Sequence, residues 1–320
     1  MSRKKVLLRA DGDSQIGLGH IYRLLALGDM LRAGADCRFA IRNPSEAVRR
    51  LVWGSGFELI ELPEITNLIE EATALPKSEI VILDGYHFDH RYQSQVRQSG
   101  AFVVCIDDIP ERHFTADLVI NHNGTFTAAD YSAEAHTTFA IGPKYALLRG
   151  PFRNAAYVDP TTRLEGHIFV CLGGADPKND TLAVLEHCAT VDSIKRVELV
   201  VGSAYSHSDA LLDWLITTPI SVEIHTNLSA TSMQKLMSTC PTAVCSASTT
   251  AFEYASVGGA LHLIQIADNQ AAIYEFFIQR NLALPIEVLG KATFRQKQKL
   301  HRKQRICFDG RSAERLQKII

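Results

Sequence analysis

Short apolar runs separated by amphipathic stretches recur along most of the chain, and no other feature narrows its fold as much. In the first half Val6–Leu8, Cys37–Ile41, Glu58–Leu62, Ile80–Leu83, Phe102–Ile106 and Leu118–Asn121 read as strands. Segments such as Ser45–Trp53 and Arg91–Gln98 between them read as amphipathic helices. Runs this uniformly apolar are buried on both faces, which implies a parallel sheet with helices on either side. The pattern breaks over Pro143–Gly166, where Tyr145-Ala146-Leu147-Leu148-Arg149 leads into Gly150-Pro151-Phe152-Arg153 and a polar, proline-containing stretch. It then restarts with His167–Leu172, Val197–Val201, Val222–His225, Ala243–Cys245 and Leu261–Gln265 as strands and Thr181–Ala189 as a helix. The expectation is two α/β domains, residues 1–152 and 153–320.

The remaining composition excludes several classes. A formal net charge of −2 implies no polyanionic partner. The basic C-terminal stretch Phe294–Ile320 is expected to be one helix, solvated on its charged face and packed on the first domain through Leu300, Ile306, Phe308, Leu316 and Ile319. It lacks the interleaved aromatics that stack nucleic-acid bases, so no nucleic-acid partner is expected. No apolar run reaches spanning length, and residues 1–5 lead straight into a strand, so no membrane partner and a cytoplasmic setting are expected. Seven cysteines without a CxxC pair, mostly inside apolar runs, read as reduced core residues. No cysteine or histidine pair has structural zinc spacing, so neither a metal nor a cofactor is expected.

Parallel sheets bind ligands at the carboxyl ends of their strands. The first strand runs into Arg9-Ala10-Asp11-Gly12-Asp13-Ser14-Gln15-Ile16-Gly17-Leu18-Gly19-His20-Ile21-Tyr22-Arg23. Gly17 and Gly19 permit a sharp turn and close ligand approach. His20 falls where the next helix starts, and the positive end of the helix dipole disfavours its protonated form. A neutral imidazole there can take a proton from water, with Asp11 or Asp13 orienting its other nitrogen and Arg23 one turn on. Three further strand ends carry polar groups: Asp84-Gly85-Tyr86-His87, Asp107-Asp108 and Asn121-His122-Asn123. Each suits turns and caps alone. Together, at the edge that carries His20, they suit a sugar.

In the second half Gly173-Gly174-Ala175-Asp176 follows a strand, and Ser246-Ala247-Ser248-Thr249-Thr250 leads from a strand into a helix. Helix-start N–H groups with extra hydroxyls can hold a diphosphate. Capping alone would need one hydroxyl, and here there are four. Glu253 lies about one turn into that helix, within reach of ribose hydroxyls, and the loop with Asn269 and Gln270 follows the next strand.

These residues, in this order, resemble the UDP-2,4-diacetamido-2,4,6-trideoxy-β-L-altropyranose hydrolases of pseudaminic acid biosynthesis. The resemblance runs through Gln15-Ile16-Gly17-x-Gly19-His20-x-x-Arg23, Asp84-x-Tyr86, Asp107-Asp108, Asn121-x-Asn123, Tyr145–Arg149, Leu172-Gly173-Gly174-x-Asp176-x-x-Asn179, Ser246-Ala247-Ser248-x-x-x-x-Glu253 and Asn269-Gln270. It implies a glycosyltransferase-B fold, two Rossmann-like domains facing a cleft, and metal-independent hydrolysis of a UDP-linked diacetamido sugar. It implies that His20 is the catalytic base and Tyr86 a site tyrosine, that Ser246, Ser248 and Glu253 act on UDP, and that Asn269 lies near the diphosphate or sugar. Gly258-Gly259-Ala260 departs from the larger apolar residues of many members, without touching a matched site position.

The expected reaction is attack of water on C1, with inversion, His20 taking the proton and Asp11 holding its tautomer. A hydrolase of another UDP-sugar, a glycosyltransferase of the same fold and a non-catalytic nucleotide-sugar binder are the alternatives. A transferase should show an acceptor patch on the first domain, and a binder would not require the histidine.

Overall fold

The computed structural model describes residues 3–12, 18–64, 67–158, 163–174, 176–202 and 204–320. Chain order in the first half is β1 (Lys4–Ala10), α1 (Gly19–Leu31), β2 (Ala35–Arg42), α2 (Glu46–Gly54), β3 (Glu58–Leu62), α3 (Leu68–Ala74), β4 (Ile80–Asp84), α4 (His90–Gln98), β5 (Phe102–Ile106), β6 (His113–Phe114), β7 (Leu118–Asn121), β8 (Ser132–Ala133) and β9 (Thr138–Ile141). It continues with α5 (Gly150–Ala155), β10 (His167–Cys171), α6 (Asp180–Ala189), β11 (Arg196–Val201), α7 (Ser208–Thr217), β12 (Ser221–Thr226), α8 (Ala230–Thr239), β13 (Thr242–Ser246), α9 (Thr249–Val257), β14 (Ala260–Ile264), α10 (Ala271–Gln279), β15 (Leu284–Pro285), α11 (Phe294–Cys307) and α12 (Ser312–Gln317).

Two compact units result. The first holds residues 1–148 and 311–320, the second 149–310. The first crossing therefore falls four residues before the expected boundary, and the chain crosses again near its end. The sheet of the first unit has the order β3-β2-β1-β4-β5-β7-β9, with every pairing parallel. That of the second has the order β12-β11-β10-β13-β14-β15, also parallel throughout. Both sheets grow outward from a central strand in one direction and then in the other. Each therefore reverses at one point, between β1 and β4 and between β10 and β13.

In the first unit, strand alternation sorts side chains between two cores. Val6, Leu8, Ala10, Ile80, Ile82, Ile106 and Ile120 face the layer that contains α1. Leu7, Val81, Leu83, Cys105 and Val119 face Phe88, Tyr92 and Val96 of the α4 layer. A single residue's step along any of these strands thus changes which layer a side chain meets.

The basic C-terminal stretch is two helices rather than one. The Thr293 and Gln296 side chains form a capping box at the start of α11. Its buried Gln304 accepts from Gly259 N at 3.0 Å and donates to the carbonyls of Gly259 and Leu282 at 3.1 and 2.7 Å. Gly310, at φ 75°, ends this segment, and α12 belongs to the first unit. There Leu316 is fully buried in the α1 layer, and Lys4 Nζ donates to the Ile320 carbonyl at 2.9 Å. The expected packing on the first domain is thus made by the last ten residues, whereas α11 stays in the second unit because Gln304 satisfies backbone groups there. The seven thiols are free and all but Cys307 are buried. Among the described residues no helix is long and apolar enough to cross a membrane.

Replacing Gln304 by Leu removes partners from one buried N–H and two buried carbonyls. The expected loss of unfolding free energy, measured by urea titration, is about 2–4 kcal/mol.

Candidate active site

The reversal point of the first sheet collects one cluster of titratable side chains. Ala10 pairs level with Asp84, so Asp84 leaves the end of β4 on the α1 face of the sheet. Asp108 lies two residues beyond Ile106 and His122 two beyond Ile120, with the same parity. His20 is the second residue of α1, and its Nδ1 lies 2.6 Å from Asp84 Oδ1. Arg23, one turn later, donates from Nε to Asp84 Oδ2 at 2.9 Å and from Nη2 to Oδ1 at 2.6 Å. Its Nη1 donates to both Asp108 oxygens at 2.5 Å. The Tyr86 hydroxyl donates to Asp108 Oδ2 at 3.2 Å, and the Tyr86 ring meets the His20 ring edge-on, with centroids 5.3 Å apart.

This geometry sets the tautomer of His20. A buried carboxylate only accepts, so a 2.6 Å contact requires the proton on Nδ1. Arg23 Nη2, 2.9 Å from the same nitrogen, then donates to Asp84 Oδ1 rather than to His20. Nε2 is left with its lone pair, the form a general base needs. The neighbouring groups have settled charges. Burial would raise Asp108, but the Arg23 guanidinium outweighs it and holds the carboxyl at about 2. Burial pushes His122 down to about 4 despite Asp108, so that imidazole is neutral at pH 7.

Three expected site residues fall on the opposite face. Asp11 does not orient His20. It continues the parity of Arg9, whose Nη2 donates to Asp11 Oδ2 at 2.9 Å, while Arg42 N donates to Oδ1 at 3.0 Å and His87 Nε2 lies 3.2 Å from Oδ2. Asp84 takes the orienting role because it is level with Ala10 on the α1 face, whereas Asp11, one residue past Ala10, turns to the other face. Asp107 follows Cys105 onto the α4 side, where it accepts from Arg112 at 3.0 Å and Tyr131 at 3.1 Å. Burial raises it to about 7 in spite of Arg112. Asn121 lies there too, donating to the Tyr131 hydroxyl at 2.8 Å and accepting from Asn123 N. Gly19 is the first residue of α1 and has open space around its Cα. Gly17 and Asp13 lie outside the described residues.

The second unit gathers its loops at the reversal between β10 and β13. Gly173 adopts φ 109°, a conformation side chains rarely take, and faces the Ser246 hydroxyl. Gly174 runs so close to Gly202 that a Cβ on Gly202 would lie 2.3 Å from the Gly174 carbonyl oxygen. Ser246 Oγ lies 3.0 Å from Ser248 Oγ. Ser248 occupies the N-cap position of α9 without its hydroxyl accepting from the helix, and Thr249 begins the helix, half-buried. Those N–H groups are thus not capped by Ser248. The start of α6 differs: Asp176 accepts from Asp180 N at 2.9 Å and Thr181 N at 2.8 Å. Asp176, expected to bind substrate, is a buried helix cap. Glu253 is 3% exposed and forms a two-pronged pair with Arg149 at 2.6 and 2.8 Å, in place of an open carboxylate. Gln270 accepts from Ile266 N at 3.0 Å and closes its own loop, and Asn269 is exposed.

Sequence reasoning gave Asp84, Asp108 and His122 only a shared place near a sugar and Arg149 no role. The signal for the first three was parity from the preceding apolar residues, which separates Asp108 from Asp107 and His122 from Asn121. Arg149 comes from a segment 104 residues before its partner, which no local pattern reveals.

Solved structures with the same architecture include MurG of Acinetobacter baumannii, with a TM-score of 0.65 at 16% identity over 99% of both chains. The calicheamicin glycosyltransferase has a TM-score of 0.66 at 16% identity over 100% of this chain and 98% of its own. The chain has the glycosyltransferase-B fold. No protein-family model matches the sequence. Among curated proteins it is 22% identical over 285 residues to an uncharacterised protein of Methanocaldococcus jannaschii, covering 86% of this chain and 58% of that one. It is 30% identical over 185 residues to the UDP-2,4-diacetamido-2,4,6-trideoxy-β-L-altropyranose hydrolase of Campylobacter jejuni, covering 56% and 64%. It is 24% identical over 284 residues to the spore coat polysaccharide biosynthesis protein SpsG of Bacillus subtilis, covering 87% and 82%. The chain thus spans less than two thirds of the length of the first two.

The two adjacent aspartates should titrate far apart. Carbon-13 NMR of the side-chain carboxyls is expected to give a midpoint about 7 for Asp107 and about 2 for Asp108. In the Arg23→Met variant the Asp108 midpoint should rise by more than one pH unit, because its main opposing charge is gone.

Proposed function

We propose that this chain is an enzyme that hydrolyses a UDP-linked diacetamido sugar, UDP-2,4-diacetamido-2,4,6-trideoxy-β-L-altropyranose, in the making of a nonulosonic acid such as pseudaminic acid for a cell-surface glycan. The observation that carries the proposal is His20, with Nδ1 held by Asp84 and Nε2 left as the base, at the reversal point of a glycosyltransferase-B sheet. A non-catalytic binder needs the fold but not this oriented base; a transferase would use such a base on an acceptor hydroxyl and is told apart by its need for an acceptor. The similarity to the Campylobacter hydrolase and the sequence motifs around His20, Tyr86 and Ser246–Glu253 support the sugar and the nucleotide.

In the proposed reaction Nε2 of His20 takes a proton from water as its oxygen attacks C1. The C1–O bond breaks, its electron pair stays on the β-phosphate oxygen of UDP, and the sugar is released with inversion. Asp84 stabilises the imidazolium that forms, and Arg23 keeps Asp84 fixed and Asp108 fixed and ionised. The second unit is proposed to bind UDP, with the α9 N–H groups, Ser246, Ser248, Thr249 and the Gly173-Gly174 turn on the diphosphate. Asn269 is proposed to lie near the diphosphate or sugar, and Glu253 on the ribose beside Arg149. UDP is a good leaving group, so neither a general acid nor a metal is invoked.

His20→Ala is expected to lower kcat about 10³-fold in a UDP-release assay with little change in KM. UDP release at the parental rate would remove His20 from the mechanism. Asp84→Asn is expected to cost about 10²-fold or more, because an amide can donate to Nδ1 and move the proton to Nε2. In ¹⁸O water the label is expected in the sugar. Label in UDP would instead show phosphorus attack, and turnover only with an added acceptor would show a transferase.

A further inference from the structure

The neighbouring strands β11 and β12 carry a second cluster, on the side of the sheet away from β13. Glu198 and Glu223 are paired level across the two strands, and His225 lies two residues beyond Glu223, so all three share one face. His225 Nε2 lies 2.7 Å from Glu198 Oε2. His167, at the start of β10, adds an Nδ1 that is 3.5 Å from Glu198 Oε1, shielded from solvent and without a hydrogen-bond partner. One ligand atom from each of Glu198, Glu223 and His225 lies within 4.8 Å of the others. The positive charge among them comes from Arg196, which donates to Glu198 Oε1 at 2.7 Å and pairs with Glu223.

We propose that this cluster is a structural site for a divalent transition ion, best matched by zinc, bound by Glu198, Glu223 and His225 with His167 as the fourth ligand. Two imidazoles with two carboxylates form a borderline donor set that suits zinc rather than magnesium or calcium. Ligand bonds of about 2.1 Å put tetrahedral donors about 3.4 Å apart, close to the 3.5 Å between His167 and Glu198. The donors stand on paired strands, a rigid support that needs only side-chain adjustment. The ion takes the place of the proton now shared by His225 and Glu198 and of the guanidinium between the two glutamates. Arg196 is about one third exposed and can swing into solvent. His167 Nδ1 faces Glu198 at 3.5 Å with no hydrogen bond, a donor that the Arg196 and His225 contacts leave unused.

The test is zinc chloride titrated into the metal-stripped full-length chain, followed by calorimetry and by thermal unfolding. The expected result is one saturable site of micromolar Kd and a raised Tm at excess zinc. His225→Ala should weaken binding at least tenfold, and His167→Ala at least threefold. Arg196→Gln, which removes the competing cation, should tighten it. Cobalt(II) should give the visible absorption of a tetrahedral ion. Absence of saturable binding up to 1 mM zinc, or binding unchanged by both histidine substitutions, would overturn the proposal. Zinc that leaves Arg196→Gln no tighter than the parent would show that Arg196 does not occupy the site, and would overturn that part of it. None of these residues belongs to the proposed hydrolytic machinery, so loss of zinc binding leaves UDP release at the parental rate.

Discussion

The level pairing of β1 with β4 decides what stands near His20. Because side chains alternate with a period of two, the residue level with Ala10 must leave its strand on the same face as Ala10. That residue is Asp84, and α1 covers that face. A slip of one residue would present Leu83 to the histidine and turn the carboxylate into the α4 layer. The core residues Leu8, Ile82 and Ile106 forbid such a slip, since each would exchange layers too. Hydrophobic burial at the centre of the sheet therefore sets the chemistry at its rim, with no polar contact needed to choose the register.

The same alternation produces two polar assemblies at one sheet edge. On the α1 face lie His20, Arg23, Asp84, Asp108 and His122. On the α4 face, fully buried Arg9 is joined to Glu71, itself linked to Tyr92 and Arg42. Fixed ion pairs of this kind are costly to desolvate and contribute geometry more than stability. Each carboxylate and guanidinium in them touches a group of opposite charge, so neither assembly leaves an isolated buried charge.

The fold was largely legible because it depends on apolar periodicity, which is local. Val6–Leu8, Ile80–Leu83 and His167–Leu172 form the strands their composition demands, and the helix start at Ser248 lies within one residue of expectation. The candidate site was legible by position along the chain but less so by face. Asp11 stands nearer His20 in sequence than Asp84, and sequence distance was the wrong measure: the strand turns Asp11 to the opposite layer. Asp176 reads as a ligand from its glycine neighbours, but a carboxylate two residues after Gly174 also fits the start of α6, and only the hydrogen bonds show which. Glu253 needed Arg149, whose approach depends on tertiary folding alone.

The division of the chain has a consequence for the order in which the molecule can form. The second unit is one uninterrupted segment, 149–310, whereas the first needs Arg311–Ile320 to complete its α1 layer around Leu316. During synthesis from the N-terminus, the first unit emerges first yet lacks that helix until all of the second has been translated. The apolar side chains that Leu316 packs against stay uncovered throughout that interval. The unit that begins first thus waits for a segment made after the second unit, and loss of Arg311–Leu316 would damage the half of the molecule that carries His20.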